Sequence, residues 1–330
     1  MDRIKKTFMP IWQPYTRVPA ETMIGSLPDE EERMVALAAH YYFQGRYWSA
    51  ARESQRFLNS SCPEIRASAL LLHSMANVGL GNADLVLADF AALTQAALQP
   101  GDEVMAAIYD ALQFLLTVFF HADGEFEFPR EEHLSLLPEG TRLYLLYAVA
   151  HVLYLQKRHQ EALGVVRSAL IMAAGRFPSV CVYLNLVGSI AASNLNDVDQ
   201  AAKFFLRAWQ IAQKEDYIQP FVEHHGLLQG QIEMYIRVDQ PEQYLRITEK
   251  VMAFSRGWMK IHNPDSANKV TDRLSPYEFS LAMMAVRGKS NQEIADYLHI
   301  SINTVKFHLS NIYQKVEVTN RKDLENHLNK

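Results

Sequence analysis

Gly288-Lys-Ser-Asn-Gln-Glu-Ile-Ala-Asp-Tyr-Leu298, followed after His299 and Ile300 by Ser301-Ile-Asn-Thr-Val-Lys-Phe-His-Leu-Ser-Asn-Ile-Tyr-Gln-Lys-Val316, reads as two amphipathic helices joined by a tight turn. Asn291 is placed to cap the first helix, whose apolar positions include Ile294, Ala295 and Leu298, and Ser301 to cap the second. In the second helix Val305, Leu309, Ile312 and Val316 recur at i, i+4, i+7 and i+11. At about 100° per residue those positions form one narrow stripe, the expected core face. The opposite side carries Asn303, Phe307, Ser310 and Gln314, with Lys306 and Tyr313 on one flank and Thr304 and Asn311 on the other. Such side chains donate, accept or stack. A helix about 10–12 Å across fits a B-DNA major groove about 12 Å wide, so this polar face predicts base reading, with the first helix crossing the DNA backbone.

Working outward, L-S-P-Y-E-F at 274–279 precedes this pair and V-T-N-R at 318–321 follows it. Together with N-x-E-I-A, S-x-x-T-V-K-x-H and I-Y-x-K, these elements resemble the LuxR/GerE-type helix-turn-helix of bacterial transcription regulators. The resemblance implies a four-helix module over 270–330 with double-stranded DNA as its partner. It places Lys306, Phe307 and Ser310 at base edges and Asn291, Thr304, His308 and Lys315 against the DNA backbone. It also implies activation rather than repression, through a contact with RNA polymerase. Three positions depart from the family pattern. Tyr277 stands where Arg is common, Ser310 where a basic or polar residue is frequent, and Glu317 where a glycine closes the recognition helix. Sequence preference therefore does not transfer. On the residues alone, Lys306 also fits a solvated surface lysine, Phe307 a packing aromatic, and His308 a ring satisfied by a backbone carbonyl.

From Thr271 onward eight Lys or Arg stand against seven Asp or Glu, a balance of plus one, while the whole chain sums to −5. Phosphate neutralisation supplies much of the affinity of a DNA binder, so a single weakly basic module is expected to act as a homodimer.

The preceding four fifths of the chain is helix-rich in pattern and repetitive. Turns at Gly45-Arg46, Gly81-Asn82, Gln156–Arg158 and Asn196-Asp197 each follow an apolar helix and precede another with small residues early in it. The clearest copies, Gly45 to Leu58, Lys157 to Leu170 and Asn196 to Ala212, resemble the second helix of tetratricopeptide repeats. Ala50, Ala162 and Ala201 fall where paired helices would approach closely, and Tyr47, Phe57, Phe204, Phe205 and Trp209 are spaced as core fillers. A weaker unit is expected over 103–137, and a last helix pair at His224 to Arg237 and Glu242 to Arg256. Such an array offers a groove for a peptide, a protein or a small molecule, and Tyr144, Tyr147, His151 and Tyr154 form a candidate lining stripe, although such stripes also pack cores.

The resulting expectation is an all-α chain. It comprises an N-terminal arm at 1–28 without helical period, a tetratricopeptide-like sensing domain at 29–255, a linker at 256–269 that lets the domains reorient, and the helix-turn-helix at 270–330. A hydrophobic content of 49% fills substantial cores and 21% charged residues suits a soluble protein, which excludes fibrous and disordered classes. Cys62 and Cys181 lie far apart, with no companion His or Cys spacing, so buried thiols in a reducing compartment are expected and no metal site. No apolar leader or run long enough for a membrane span is seen, which predicts a cytoplasmic protein without a membrane partner. Phosphate-loop, dinucleotide and zinc-protease motifs are missing, as is a receiver-like alternation of strands and helices, so neither an enzyme nor a cofactor is expected. The rival reading is a repeat scaffold whose terminal module serves mainly for self-association.

Overall fold

The N-terminal arm is structured before the first hairpin begins. The computed structural model describes every residue except 1–5, 16–17, 120–127, 229, 263–273, 275, 299 and 329–330. Within the segment read as lacking helical period, a 3-10 turn forms at Pro10–Trp12 and a helix α1 at Ala20–Ser26. Phe8, Met9, Ile11, Trp12, Tyr15, Met23 and Ile24 are all buried. Four prolines and the shortness of its helical turns hide any period in this stretch, but its apolar anchors have a core to enter.

Four helical hairpins follow. They are α2 (Glu30–Phe43) with α3 (Tyr47–Gln55), α4 (Pro63–Leu80) with α5 (Ala83–Ala97), α8 (Glu139–Leu155) with α9 (His159–Ala173), and α10 (Pro178–Asn194) with α11 (Val198–Glu215). Between the second and third pairs lie α6 (Glu103–Phe119) and the one-turn α7 (Glu131–Leu134), which occupy the weaker unit; the end of its apolar helix, at Phe120, lies outside the described residues. Each hairpin turns through one left-handed residue, Gly45 (φ 71°), Gly81 (φ 75°), Lys157 (φ 61°) and Asn196 (φ 60°). In each, the next amide donates to the carbonyl five positions back: Arg46 to Tyr41, Asn82 to Asn77, Arg158 to Leu153 and Asp197 to Ala192, at 2.8–3.0 Å. This closure satisfies a carbonyl that the helix end would otherwise orphan. The same turn used four times is the physical content of the repeat.

Small residues let the paired helices approach. Ala50, Ala162 and Ala201 are buried, Ser189 Oγ donates to the Ala201 carbonyl at 2.8 Å, and the ring of Tyr47 occupies the space where Gly79 lacks a Cβ. Tyr47, Phe205 and Trp209 are buried as fillers, whereas Phe57 and Phe204 are only partly covered. Cys62 and Cys181 are free and buried, and burial pushes both thiols up.

The chain divides into two compact units, 1–217 and 218–330. The second begins with α12 (Gln219–His224), a 3-10 turn at His225–Leu227, α13 (Gln231–Tyr235) and α14 (Pro241–His262). The helix expected from His224 to Arg237 is thus broken, because the chain adopts a left-handed conformation at Gly230 (φ 86°). The segment expected as a linker begins inside α14, which runs through His262. Gly257 is buried in that helix and does not end it, since one helical glycine costs only about 1 kcal/mol; the stronger breakers start at Asn263, outside the described residues.

Four further helices complete the unit: α15 (Pro276–Val286), α16 (Asn291–Leu298), α17 (Ile302–Lys315) and α18 (Arg321–Leu328). Leu281, Met284, Ile294, Val305, Leu309, Ile312, Val316 and Leu324 are among the side chains of their shared core. The last repeat-like segment packs on α15, with Gly226 leaving room for Phe279 and Met283, and Arg287 donating to the Leu227 carbonyl at 3.3 Å. Every regular element among the described residues is helical, and none of these helices is long and apolar enough to cross a membrane.

Candidate nucleic-acid interface

Both helices of the helix-turn-helix begin at a side-chain cap. Asn291, expected as the cap of α16, is instead its first helical residue. Ser290 takes the capping position: the Glu293 amide donates to Ser290 Oγ at 3.2 Å and the Ser290 amide to Glu293 Oε2 at 2.6 Å. This reciprocal pair is a capping box, and the amide of Ser290 holds the Glu293 carboxyl below its ordinary range. Ser301 caps α17 as expected, accepting from the Thr304 amide at 3.0 Å.

The two faces of α17 separate as the sequence pattern requires. Val305, Leu309, Ile312 and Val316 are buried, and Asn303, Phe307, Ser310 and Gln314 are exposed. Lys306 is exposed with no ionic or hydrogen-bonding partner among the described residues, and Phe307 is 63% exposed. Lys306, Phe307 and Ser310 therefore share an accessible surface carrying a cation, an aromatic plane and a hydroxyl. Lys306 and Ser310 also line a concavity together with Asn291, Leu309, Tyr313 and Arg321.

The four residues expected at the DNA backbone differ in their engagement. Thr304 is partly covered, its hydroxyl 2.8 Å from that of Ser301. His308 is also partly covered, its ring meeting that of Tyr277 edge-on at 5.2 Å. The partly buried ring of Tyr277, at this departure from the family pattern, serves as a packing surface for His308, and burial pushes its phenol up. Asn291 Oδ1 accepts from Arg321 at 2.7 Å, and Lys315 Nζ is bound by both carboxylate oxygens of Glu278 at 2.7 Å each.

Arg321 is the residue that sequence reasoning left out of the site. Its guanidinium donates to Asn291 and to the Lys289 carbonyl, joining the starts of α16 and α18 beside Lys306. The V-T-N-R element marked the position, but only the fold brings it next to α16.

The candidate groove stripe lies elsewhere, on α8, and is closed. Tyr144, Tyr147, His151 and Tyr154 are all buried, and Trp12 of the arm stacks on Tyr144 at 4.3 Å between ring centroids.

A capped pair of short helices, the second presenting a polar and cationic face away from its core, defines the class as a helix-turn-helix DNA-reading module. Residues 272–327 match the family described as bacterial regulatory proteins, luxR family, and form a domain of that family. Over that region the chain is similar to the response regulator protein VraR of Staphylococcus aureus (strain Mu3), 36% identical over 85 residues, which cover 23% of this chain and 40% of that protein. The chain thus spans less than half the length of this curated relative. No solved structure matches.

Proposed function

We propose that the chain is a bacterial, sequence-specific DNA-binding transcriptional regulator. In this reading α17 enters the major groove, Lys306, Phe307 and Ser310 read base edges, and Asn291, Thr304, His308 and Lys315 face the DNA backbone. The helical-hairpin array receives a peptide, protein or small-molecule signal and controls the module. The protein works in the cytoplasm as a homodimer and contacts RNA polymerase. The observation carrying the reading is the exposed Lys306, unpaired among the described residues, beside Phe307 and Ser310, on a helix whose opposite stripe is fully engaged in core. The near-neutral charge of 271–330 supports the homodimer, since one weakly basic module gains little from phosphate contacts alone.

Selection of bound fragments from the source genome, followed by affinity measurement on the enriched site, tests this. Lys306→Ala should lower affinity roughly five- to hundredfold, the effect of losing about 1–3 kcal/mol at a base-reading contact, and leave the oligomeric state unchanged. Full DNA retention with altered assembly would sink the proposal in favour of a scaffold that uses the module for self-association.

A further inference from the structure

Residues 6–15 lie along the leading helices of three hairpins in the manner of a bound peptide. Lys6 Nζ bonds Asp29 at 2.9 Å and Glu31 at 2.6 Å, at the start of α2. The Thr7 amide donates to Glu32 on α2, and the Met9 amide to Ser68 Oγ on α4 at 2.9 Å. Trp12 stacks on Tyr144 of α8, and its carbonyl lies over Gly140, where a Cβ would collide with it. The Tyr15 amide donates to the Arg176 carbonyl at 2.8 Å, just ahead of α10. Large anchors at Phe8, Met9, Ile11, Trp12 and Tyr15 fill the surface that stacked hairpins present to ligands.

The seat holds a segment that turns through a 3-10 helix at Pro10–Trp12, yet its occupant is an imperfect tenant. Met9 holds a left-handed backbone (φ 47°, ψ 69°), which side chains without a local hydrogen bond seldom adopt. The Trp12 indole N–H is buried, the residue being 4% exposed, and has no acceptor among the described residues. An orphaned buried donor and a strained residue are both relieved when the arm leaves.

We propose that this seat is a binding groove for a short segment of another polypeptide, and that the arm is its resident competitor. The ligand carries a cation for the Asp29 and Glu31 rim, then spaced apolar anchors and an aromatic side chain for the Tyr144 platform, and its main-chain amides donate to Glu32, Ser68 and the Arg176 carbonyl as those of the arm do. This supplies a signal class for the function proposed above; its test uses no DNA, so the two readings fail separately.

A protease site inserted between the exposed Val18 and Pro19 lets the full chain fold with its arm in place and be cut afterwards. A fluorescent synthetic peptide of residues 6–15 should then bind the cut protein saturably and the uncut protein at least roughly tenfold more weakly, with a Trp12→Ala peptide losing roughly tenfold against the cut protein. A cut protein that keeps its helical signal and ignores the peptide overturns the proposal, as does equal binding to cut and uncut protein. Hydrogen exchange on the uncut chain provides a readout that does not depend on the cut protein staying folded. The amides of Met9 and Tyr15 should exchange at least roughly tenfold faster than those at the centre of α4, and equal protection would overturn the proposal.

Discussion

Lys315 Nζ sits 2.7 Å from each carboxylate oxygen of Glu278, tying the last turn of α17 to the start of α15. The Glu278 side chain is 10% exposed and that of Lys315 is 44% exposed, so solvent screens one partner and not the other. Glu278→Ala should destabilise the module by about 1 kcal/mol, after discounting for the exposed partner, as read from urea unfolding. Lys315→Ala should reduce DNA affinity less than Lys306→Ala does, because the Lys315 charge is already partly neutralised. An equal loss of affinity and of salt dependence in the two variants would show that Glu278 releases Lys315 when DNA binds.

Phe307 separates a reading role from a folding role. At 63% exposed it contributes little to the core, so Phe307→Ala should leave the unfolding midpoint within the small range of surface substitutions, about 0.5 kcal/mol. Affinity for the selected DNA site should fall by about 1–3 kcal/mol if the ring meets a thymine methyl or stacks in the groove. A shifted oligomeric state with unchanged DNA binding would assign the ring to an interface between copies.

Ser301 tests the turn. Its hydroxyl accepts from the Thr304 amide, and loss of such a cap costs about 1 kcal/mol, so Ser301→Ala should lower stability by that amount. Ser290→Ala should act similarly at α16, where it removes the acceptor of the Glu293 amide but keeps the backbone amide that donates to the Glu293 carboxylate. If both variants unfold as the parent does, the caps are not what positions the two helices.

The local chemistry of the module was legible because it repeats within one turn of helix. The stripe from Val305 to Val316 is buried and the Asn303 to Gln314 side is exposed, as 3.6-residue periodicity demands. The cap of α16 was misplaced by one residue because Ser290 and Asn291 are both good caps, and only backbone geometry distinguishes them. Four hairpin turns were legible from Gly45, Gly81, Lys157 and Asn196, since each begins a new apolar period. What depends on distance along the chain was hidden. Nothing near Tyr144 in sequence announces Trp12, and nothing near Asn291 announces Arg321. The break at Gly230 and the helical run through Arg256 to His262 also escaped, because a lone glycine ends one helix and is tolerated in another according to its packing.

Gly230 links the last repeat-like segment to the DNA-reading helices within the second unit. It is left-handed at φ 86°, and a Cβ there would lie 2.4 Å from Leu298 Cδ2 on α16. Gly230→Ala therefore adds backbone strain of about 1 kcal/mol to displacement of a core-edge leucine, for a loss of about 2 kcal/mol or more. Urea unfolding measures the loss, and Leu298→Ala in the Gly230→Ala background should recover part of it by vacating the space. No recovery would show that backbone strain alone carries the effect.

Acid should weaken the second unit through His224. The ring is buried and its Nδ1 donates to the Pro220 carbonyl at 2.7 Å, while burial holds the pKa down near about 4, from an ordinary 6.5. The folded state thus keeps the imidazole neutral where an unfolded chain would protonate it. Between pH 6.5 and about 4 the unfolded state binds the extra proton, so this contribution is complete above 6.5 and declines as pH falls through that window. By linkage the full decline is about 3 kcal/mol. Burial also lowers the His40 pKa in the first unit, against the opposing pull of Glu21, and adds a change of the same sign there. Urea unfolding at pH 7.5 and pH 5, with His224→Gln as the control, reads the effect, since a glutamine can still donate to Pro220 but does not titrate. Stability that is equal at the two pH values, or a His224→Gln variant as acid-sensitive as the parent, would remove His224 from this role.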